Sequence, residues 1–263
     1  MPQDSLTVTL VQAASSLEPA DNRAALTRVS EAVADRPGPH LVVLPEAFAR
    51  DFGSPGSDVS AFAEPLGGPF VEALSGEAKR AGATVVAGMF ERSDDPARPW
   101  NTLVVVDGDG LVASYRKIHL YDSFGYRESD RLLAGETTPV LVEVAGLRVG
   151  LMTCYDLRFP ELARALTDQG AELVVVPAAW VAGEGKVHHW RTLATARAIE
   201  NTVYVAAAGQ PAPRYSGHSL VVAPDGEVLV EAGDDDAVVR AEVGRDRLEK
   251  ARATNPSLAN RRM

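Results

Sequence analysis

Three polar side chains each stand at the end of an apolar run, and their types suit attack on an unreactive carbonyl carbon. Cys154 is the only cysteine in 263 residues. It closes the run Leu147–Cys154 and is followed by Tyr155–Leu162, with Pro160 where the first turn of a helix tolerates it. The pattern predicts a buried strand, a turn that exposes the thiol beside free backbone N–H groups, and a helix. Such a turn suits a nucleophile and the oxyanion it creates. Taken alone, one cysteine reads as a small buried hydrophobe. Glu46 follows the apolar strand Leu41–Leu44, and Lys117 follows the alternating strand Leu111–Tyr115. A Glu or Lys after a strand is ordinarily a solvated loop residue. In open α/β sheets, however, functional groups gather where strands end, so the three can share one pocket.

A thiol is a weak nucleophile until a base takes its proton, and an amide or nitrile carbon is a poor electrophile. Glu46 is the expected base, and it needs burial to lift its pKa from about 4 towards neutrality. Lys117 is expected to set positive charge beside the oxyanion of a tetrahedral intermediate. Histidine is the alternative base, as in cysteine proteases. Of the five histidines, His119 lies two residues beyond Lys117, so a continuing strand puts both on one face. His189-Trp190 opens a helix, where capping or packing is the ordinary role. No protease signature surrounds Cys154, and the histidines lack zinc spacing, so no metal is expected.

In the order Glu, Lys, Cys these segments resemble the motifs of the nitrilase superfamily of carbon–nitrogen hydrolases. The resemblance is carried by Pro45-Glu46-Ala47-Phe48, Arg116-Lys117-Ile118-His119-Leu120 and Cys154-Tyr155-Asp156-Leu157-Arg158-Phe159-Pro160-Glu161-Leu162, and it runs from Val8 to Arg262. Glu128, in Tyr126-Arg127-Glu128-Ser129, matches the second glutamate of that site. The resemblance implies Glu46, Lys117 and Cys154 as catalytic, a thioester on Cys154, and the Tyr155 N–H as second oxyanion donor. Glu128 would then hydrogen-bond Lys117 or orient the substrate amide. Two carboxylates beside one ammonium imply coupled titration.

Within the superfamily, Cys154–Leu162 together with His189-Trp190, Ala196–Asn201 and Tyr215–Ser219 looks most like two branches. These are the ω-amidases, acting on 2-oxoglutaramate-type monoamides, and the deaminated glutathione amidases. The implied activity is hydrolysis of a small carboxylate-bearing amide to acid and ammonia, with Tyr155, Arg158 and Trp180 in the substrate pocket. Alternatives are a surface salt bridge for Arg158 and a packing wall for Trp180, which stands where those branches often carry Phe. Arg158, Lys186 and Arg127 are candidates to hold the carboxylate, which needs a cation if it is buried. A nitrilase or an N-carbamoyl amidohydrolase has the same triad. A non-catalytic binding member of the fold is a third reading, against which the intact triad speaks. The resemblance also implies a homodimer, formed through helices flanking the site. One of these begins near Phe159, and its Leu162, Ala165 and Leu166 share a face, a pattern that would equally serve core packing.

The elements that must position these residues alternate along the chain without a linker. Leu6–Ala13 alternates as a strand, and Asp21 is placed to cap a helix with Leu26, Val29 and Val33 on one face. A Gly/Pro/Ser-rich loop, Phe52–Gly56, precedes a helix over Phe70–Ala81 and a strand over Thr84–Phe90. Asp107-Gly108-Asp109-Gly110 and Pro224-Asp225-Gly226 are hairpin signals. Between them, apolar strands at Glu172–Val176 and Val203–Ala208 surround a helix over His188–Glu200. Val238–Val243 and a helix from Arg245 end the pattern. Hairpins require antiparallel pairs, so the sheets should be mixed. Family resemblance implies a four-layer α-β-β-α sandwich of two mixed sheets, with residues 1–263 as a single domain; the patterning is compatible with it.

Composition sets the remaining expectations. Apolar residues make up 46% and charged residues 24%, ordinary for a globular enzyme. The formal charge of −10 argues against a nucleic-acid surface. No Gly-x-Gly-x-x-Gly or Walker-type loop occurs, and no cofactor is expected. There is no N-terminal basic-plus-apolar signal and no apolar run near 18 residues, so neither secretion nor a membrane span is indicated. A single thiol cannot form an internal disulfide and survives best in a reducing compartment, so the expected location is the cytoplasm.

Overall fold

Strands that are apolar at every position need cover on both faces, and here helices supply one side and a second sheet the other. The computed structural model describes residues 5–262. Its first half runs β1 (Ser5–Gln12), α1 (Pro19–Ala24), α2 (Thr27–Val33), β2 (His40–Val43), α3 (Pro69–Ala81), β3 (Thr84–Glu91), β4 (Trp100–Asp107) and β5 (Gly110–Arg116). A small hairpin follows, β6 (Asp122–Ser123) and β7 (Tyr126–Arg127). The second half runs β8 (Leu141–Val144), β9 (Leu147–Leu151), α4 (Pro160–Asp168), β10 (Leu173–Ala178), α5 (Lys186–Asn201), β11 (Tyr204–Gly209), β12 (Leu220–Val222) and β13 (Val228–Glu231). It ends with β14 (Ala237–Gly244), α6 (Arg245–Thr254) and α7 (Ser257–Asn260).

The strand orders are β14-β1-β2-β3-β4-β5 and β13-β12-β11-β10-β9-β8. Both sheets are mixed, as the hairpins require. Each has a parallel centre, β1–β2–β3 or β9–β10–β11, with antiparallel strands on both sides. The two sheets therefore repeat one pattern, in which β2 corresponds to β10.

Alternation within the strands sorts the core. Leu41, Val43, Leu103 and Val105 point between the sheets and join Val149, Leu151 and Val175. Their neighbours Val42, Leu44, Val104 and Val106 point outward to Val29 of α2 and to Phe70 and Leu74 of α3. Beyond the second sheet, Leu162 and Leu166 of α4 and Trp190 and Ala194 of α5 form the fourth layer. The result is the α-β-β-α sandwich.

Three local readings change. Asp21 is not a cap: it lies in the first turn of α1, whose start is set by Pro19 with its fixed φ. The expected single helix there is two, broken before Thr27. The apolar face of α4 turns inward, because Gly150 leaves room for Leu166, whose methyls lie 3.1 Å from the position of an added Cβ. Through Leu162 and Leu166 that face serves the core. At the other end of the chain, the arginines clamp onto acidic groups: Arg245 on Glu172 at 2.9 Å, Arg247 on Asp225 at 2.8 Å and Arg261 on Asp168 at 2.9 Å. No helix among the described residues is long and apolar enough to cross a membrane.

Candidate active site

Glu46 leaves the end of β2 on a tightly held turn. Leu44 N donates to Val86 O at 2.8 Å, and Gly88 of β3 holds the turn from both sides, accepting from Ala49 N at 3.0 Å and donating to Pro45 O at 3.2 Å. A Cβ on Gly88 would lie 2.7 Å from Glu46 Cα and would also strike Ala47 N, so this close approach demands glycine. Lys117 follows the last residue of β5. Its N–H donates to Asn101 O at 2.8 Å and its carbonyl accepts from Gly135 N at 2.8 Å.

Cys154 lies three residues beyond the end of β9, later than the predicted strand boundary allows. It opens a 3-10 turn, Cys154–Arg158, with φ of 46°, a conformation that costs a non-glycine residue of order 1 kcal/mol or more. The fully buried Asp156 holds that turn. Its Oδ2 accepts from Thr153 N at 2.8 Å and from the Tyr115 hydroxyl at 2.7 Å, and its Oδ1 accepts from His119 N at 3.1 Å. One carboxylate thus ties the cysteine turn to the strand that delivers Lys117.

The three strand ends converge. Lys117 Nζ lies 2.9 Å from Glu46 Oε1, and 2.9 and 3.2 Å from the two oxygens of Glu128. None of the three side chains is more than 2% exposed. Asn101 Nδ2 donates to the same pair, at 2.7 Å to Glu46 Oε1 and 3.3 Å to Glu128 Oε1. The far oxygen of Glu46 accepts from Ala179 N, at the end of β10, at 2.7 Å. Glu128 Oε2 accepts from Tyr121 N at 2.6 Å. Burial alone would pull the Lys117 ammonium down, but Glu128 and then Glu46 outweigh it and hold it well above the usual range. Burial, and after it the negative charge of Glu46, push the Cys154 thiol well above its ordinary range against the opposing pull of Lys117. The resting nucleophile is therefore a neutral thiol, and attack requires a base to take its proton as the bond forms.

Cys154 is 7% exposed and lines a solvent-open pocket with a cavity volume of about 230 Å3, which Glu46, Lys117 and Glu128 also line. Tyr121, Phe124, Tyr126, Tyr155 and Trp180 form aromatic walls, and the Phe52–Pro55 loop closes one side. Trp180 fits both of its readings: it lines the pocket, packs on Trp190 with centroids 5.3 Å apart, and donates from Nε1 to Lys186 O at 3.0 Å. Arg158 also lines the pocket, with its guanidinium 4.8 Å from the Trp180 ring centroid. It pairs with no carboxylate among the described residues, so the surface salt bridge is not its role. Lys186 donates to the Tyr121 hydroxyl at 3.2 Å, and burial and the Arg158 charge hold its amine below the usual range. Arg127 is exposed, 3.5 Å from Asp130, and does not line the pocket. Its place on the solvent side of β7 removes it as a carboxylate anchor. No histidine lines the pocket either. The strand stops at Arg116, so His119 leaves the face of Lys117; its Nδ1 sits 2.7 Å from Asp156 and its ring stacks on Phe159 at 3.8 Å.

The chain matches the carbon–nitrogen hydrolase family over residues 7–253. It belongs to that family. Among its relatives, this carbon–nitrogen hydrolase is 46% identical over 223 residues to a deaminated glutathione amidase of Escherichia coli O157:H7, with 84% of each chain covered. It is 34% identical over 236 residues to an omega-amidase of Xenopus tropicalis, covering 86% of this chain and 84% of that one. Its structure superimposes with a TM-score of 0.88 and 30% identity on a CN-hydrolase superfamily protein of Xanthomonas campestris that carries an arsenic adduct in its active site, over 99% of this chain and 98% of the other.

Sequence reading of this hydrolase overlooked three residues at the site. Asn101 stands with Thr102 as the polar start of an otherwise apolar strand, and Asp156 is a carboxylate inside the turn opened by the cysteine; both are anomalies visible in the sequence. Arg214 lines the pocket, bonded to Gly53 O and 2.8 Å from Asp51, and nothing in its sequence context marks it. Among the described residues, no group of three His, Cys, Asp or Glu side chains is arranged to hold a metal ion.

Proposed function

We propose that this chain hydrolyses a small carboxylate-bearing amide, of the ω-amidase or deaminated glutathione type, through a thioester on Cys154. The observation that carries this reading is the buried Glu46–Lys117–Glu128 cluster beside Cys154, below two pocket cations, Arg158 and Lys186, that have no carboxylate partner among the described residues. The two amidase relatives support the same class of substrate.

Glu46 takes the thiol proton as sulfur bonds to the amide carbon. The carbonyl oxygen becomes an oxyanion beside the Lys117 ammonium, with the Tyr155 N–H at the start of the 3-10 turn as second donor. The C–N bond then breaks, the amine departs with the proton held by Glu46 (as ammonia from a primary amide), and a thioester remains. Glu46 next takes a proton from water as its oxygen attacks; the C–S bond breaks, sulfur recovers a proton and the acid leaves. Glu128 holds the Lys117 ammonium in place. Arg158 and Lys186 anchor the distal carboxylate against aromatic walls.

Succinamate should be hydrolysed with a kcat/KM roughly 10- to 100-fold above that of succinamide, the worth of one charge-assisted hydrogen bond. Steady-state ammonia release on both substrates measures it. Equal values would mean that no carboxylate site exists.

We also infer that residues 1–263 act as one domain, that the protein resides in the cytoplasm, where its lone thiol stays reduced, and that it is a homodimer. With the apolar face of α4 turned inward, family resemblance is the support for the dimer. Light scattering at micromolar concentration should give twice the monomer mass of 27.9 kDa; a monomer contradicts it.

A further inference from the structure

The assignment of Glu46 as base leaves open which of its oxygens receives the proton, and hydrogen bonding resolves that. A carboxylate oxygen has about two acceptor sites. Glu46 Oε1 fills both, from Lys117 Nζ at 2.9 Å and Asn101 Nδ2 at 2.7 Å. Among the described residues Oε2 accepts one N–H bond, from Ala179 N at 2.7 Å, which leaves its second acceptor position to the neighbouring Cys154 thiol. Asn101 is wholly buried and gives N–H bonds to both Glu46 and Glu128, while its own Oδ1 finds no partner among the described residues. A buried carbonyl left unpaired costs about 1–3 kcal/mol. A residue with no task beyond packing would not incur that cost at the centre of the site.

We propose that Asn101 is a positioning residue: with Lys117 it occupies Glu46 Oε1 and thereby confines the transferred proton to Oε2. In the first step the S–H bond breaks, Oε2–H forms, and the electron pair left on sulfur makes the bond to the substrate carbon. The same oxygen returns the proton to the departing amine. A neutral amide suits the position. It donates to two carboxylates without the second positive charge that would make Glu46 a weaker base.

This rests on the reading of Glu46 as base, and the test separates the two. The charged and titratable groups around Glu46 are Lys117, Glu128, Cys154 and Tyr215, none altered by a change at Asn101. Asn101→Leu, close in volume, and Asn101→Asp, close in shape, each remove the N–H donors and keep the backbone bond from Lys117 N to residue 101. Loss of a donor disfavours the carboxylate, so the acid limb of the kcat/KM profile should move to higher pH by about one unit or more. For Asn101→Asp the added negative charge should make the shift at least as large. kcat should fall, with KM changed less than about threefold, because Asn101 does not line the pocket. A merely structural role would lower melting temperature and leave the limb in place. Should the leucine variant fail to fold, the aspartate variant carries the test alone. An unmoved acid limb in a folded variant overturns the proposal while leaving Glu46 as base. Full activity in Glu46→Gln overturns both.

Discussion

Replacing Cys154 by alanine should abolish turnover, by about four orders of magnitude or more, and leave the protein folded. Removing a nucleophile that works as a unit with its base costs nearly the whole covalent pathway. The stability cost is small because the sulfur faces a solvent-open pocket and its removal leaves no sealed cavity. Alanine inherits the φ of 46° with a Cβ like that of cysteine, so backbone strain is unchanged. No other thiol exists to substitute for the lost one. Product release under saturating amide, read beside the thermal unfolding midpoint, checks both halves. Turnover near that of the wild type in the folded variant would remove the thioester from the mechanism.

The parts of this site that sequence made visible are those with a local cause. Glu46, Lys117 and Cys154 each follow an apolar strand, and a strand end is a place that a one-dimensional pattern can mark. The hairpins were equally plain, since Gly108-Asp109 and Pro224–Gly226 write their turns into the chain. What sequence left out is the meeting across the sandwich. The bond from Ala179 N to Glu46 joins β10 to β2, positions 133 residues apart, and no periodicity records it. Gly88 behaves likewise: it reads as a weak point in a strand until the turn of Glu46 is laid against it. The inward face of α4 was ambiguous for a different reason, because core and partner surfaces both demand Leu162 and Leu166, and only the space above Gly150 separates them. Arg127 failed as an anchor because proximity in sequence to Glu128 says nothing of direction on a two-residue strand.

Replacing Lys117 by methionine should reduce kcat by roughly two to three orders of magnitude, the usual worth of one oxyanion donor. The change does a second thing that must be separated from the first. Lys117 is 2% exposed and bonded to both Glu46 and Glu128, so its removal leaves two buried carboxylates facing each other. Breaking a buried pair in this way costs about 3–5 kcal/mol. For a chain of this size that lowers the unfolding midpoint by roughly 10 °C. One carboxylate can relieve the repulsion by taking a proton, and a protonated Glu46 is no longer a base. The rate loss should therefore shrink partly as pH is raised, whereas the share that comes from the missing oxyanion donor should persist at every pH. Measuring kcat across pH, at a temperature where circular dichroism shows the variant folded, separates the two contributions. A pH-independent loss below tenfold would confine Lys117 to neutralising the two glutamates, and oxyanion stabilisation would have to come from the Tyr155 N–H alone.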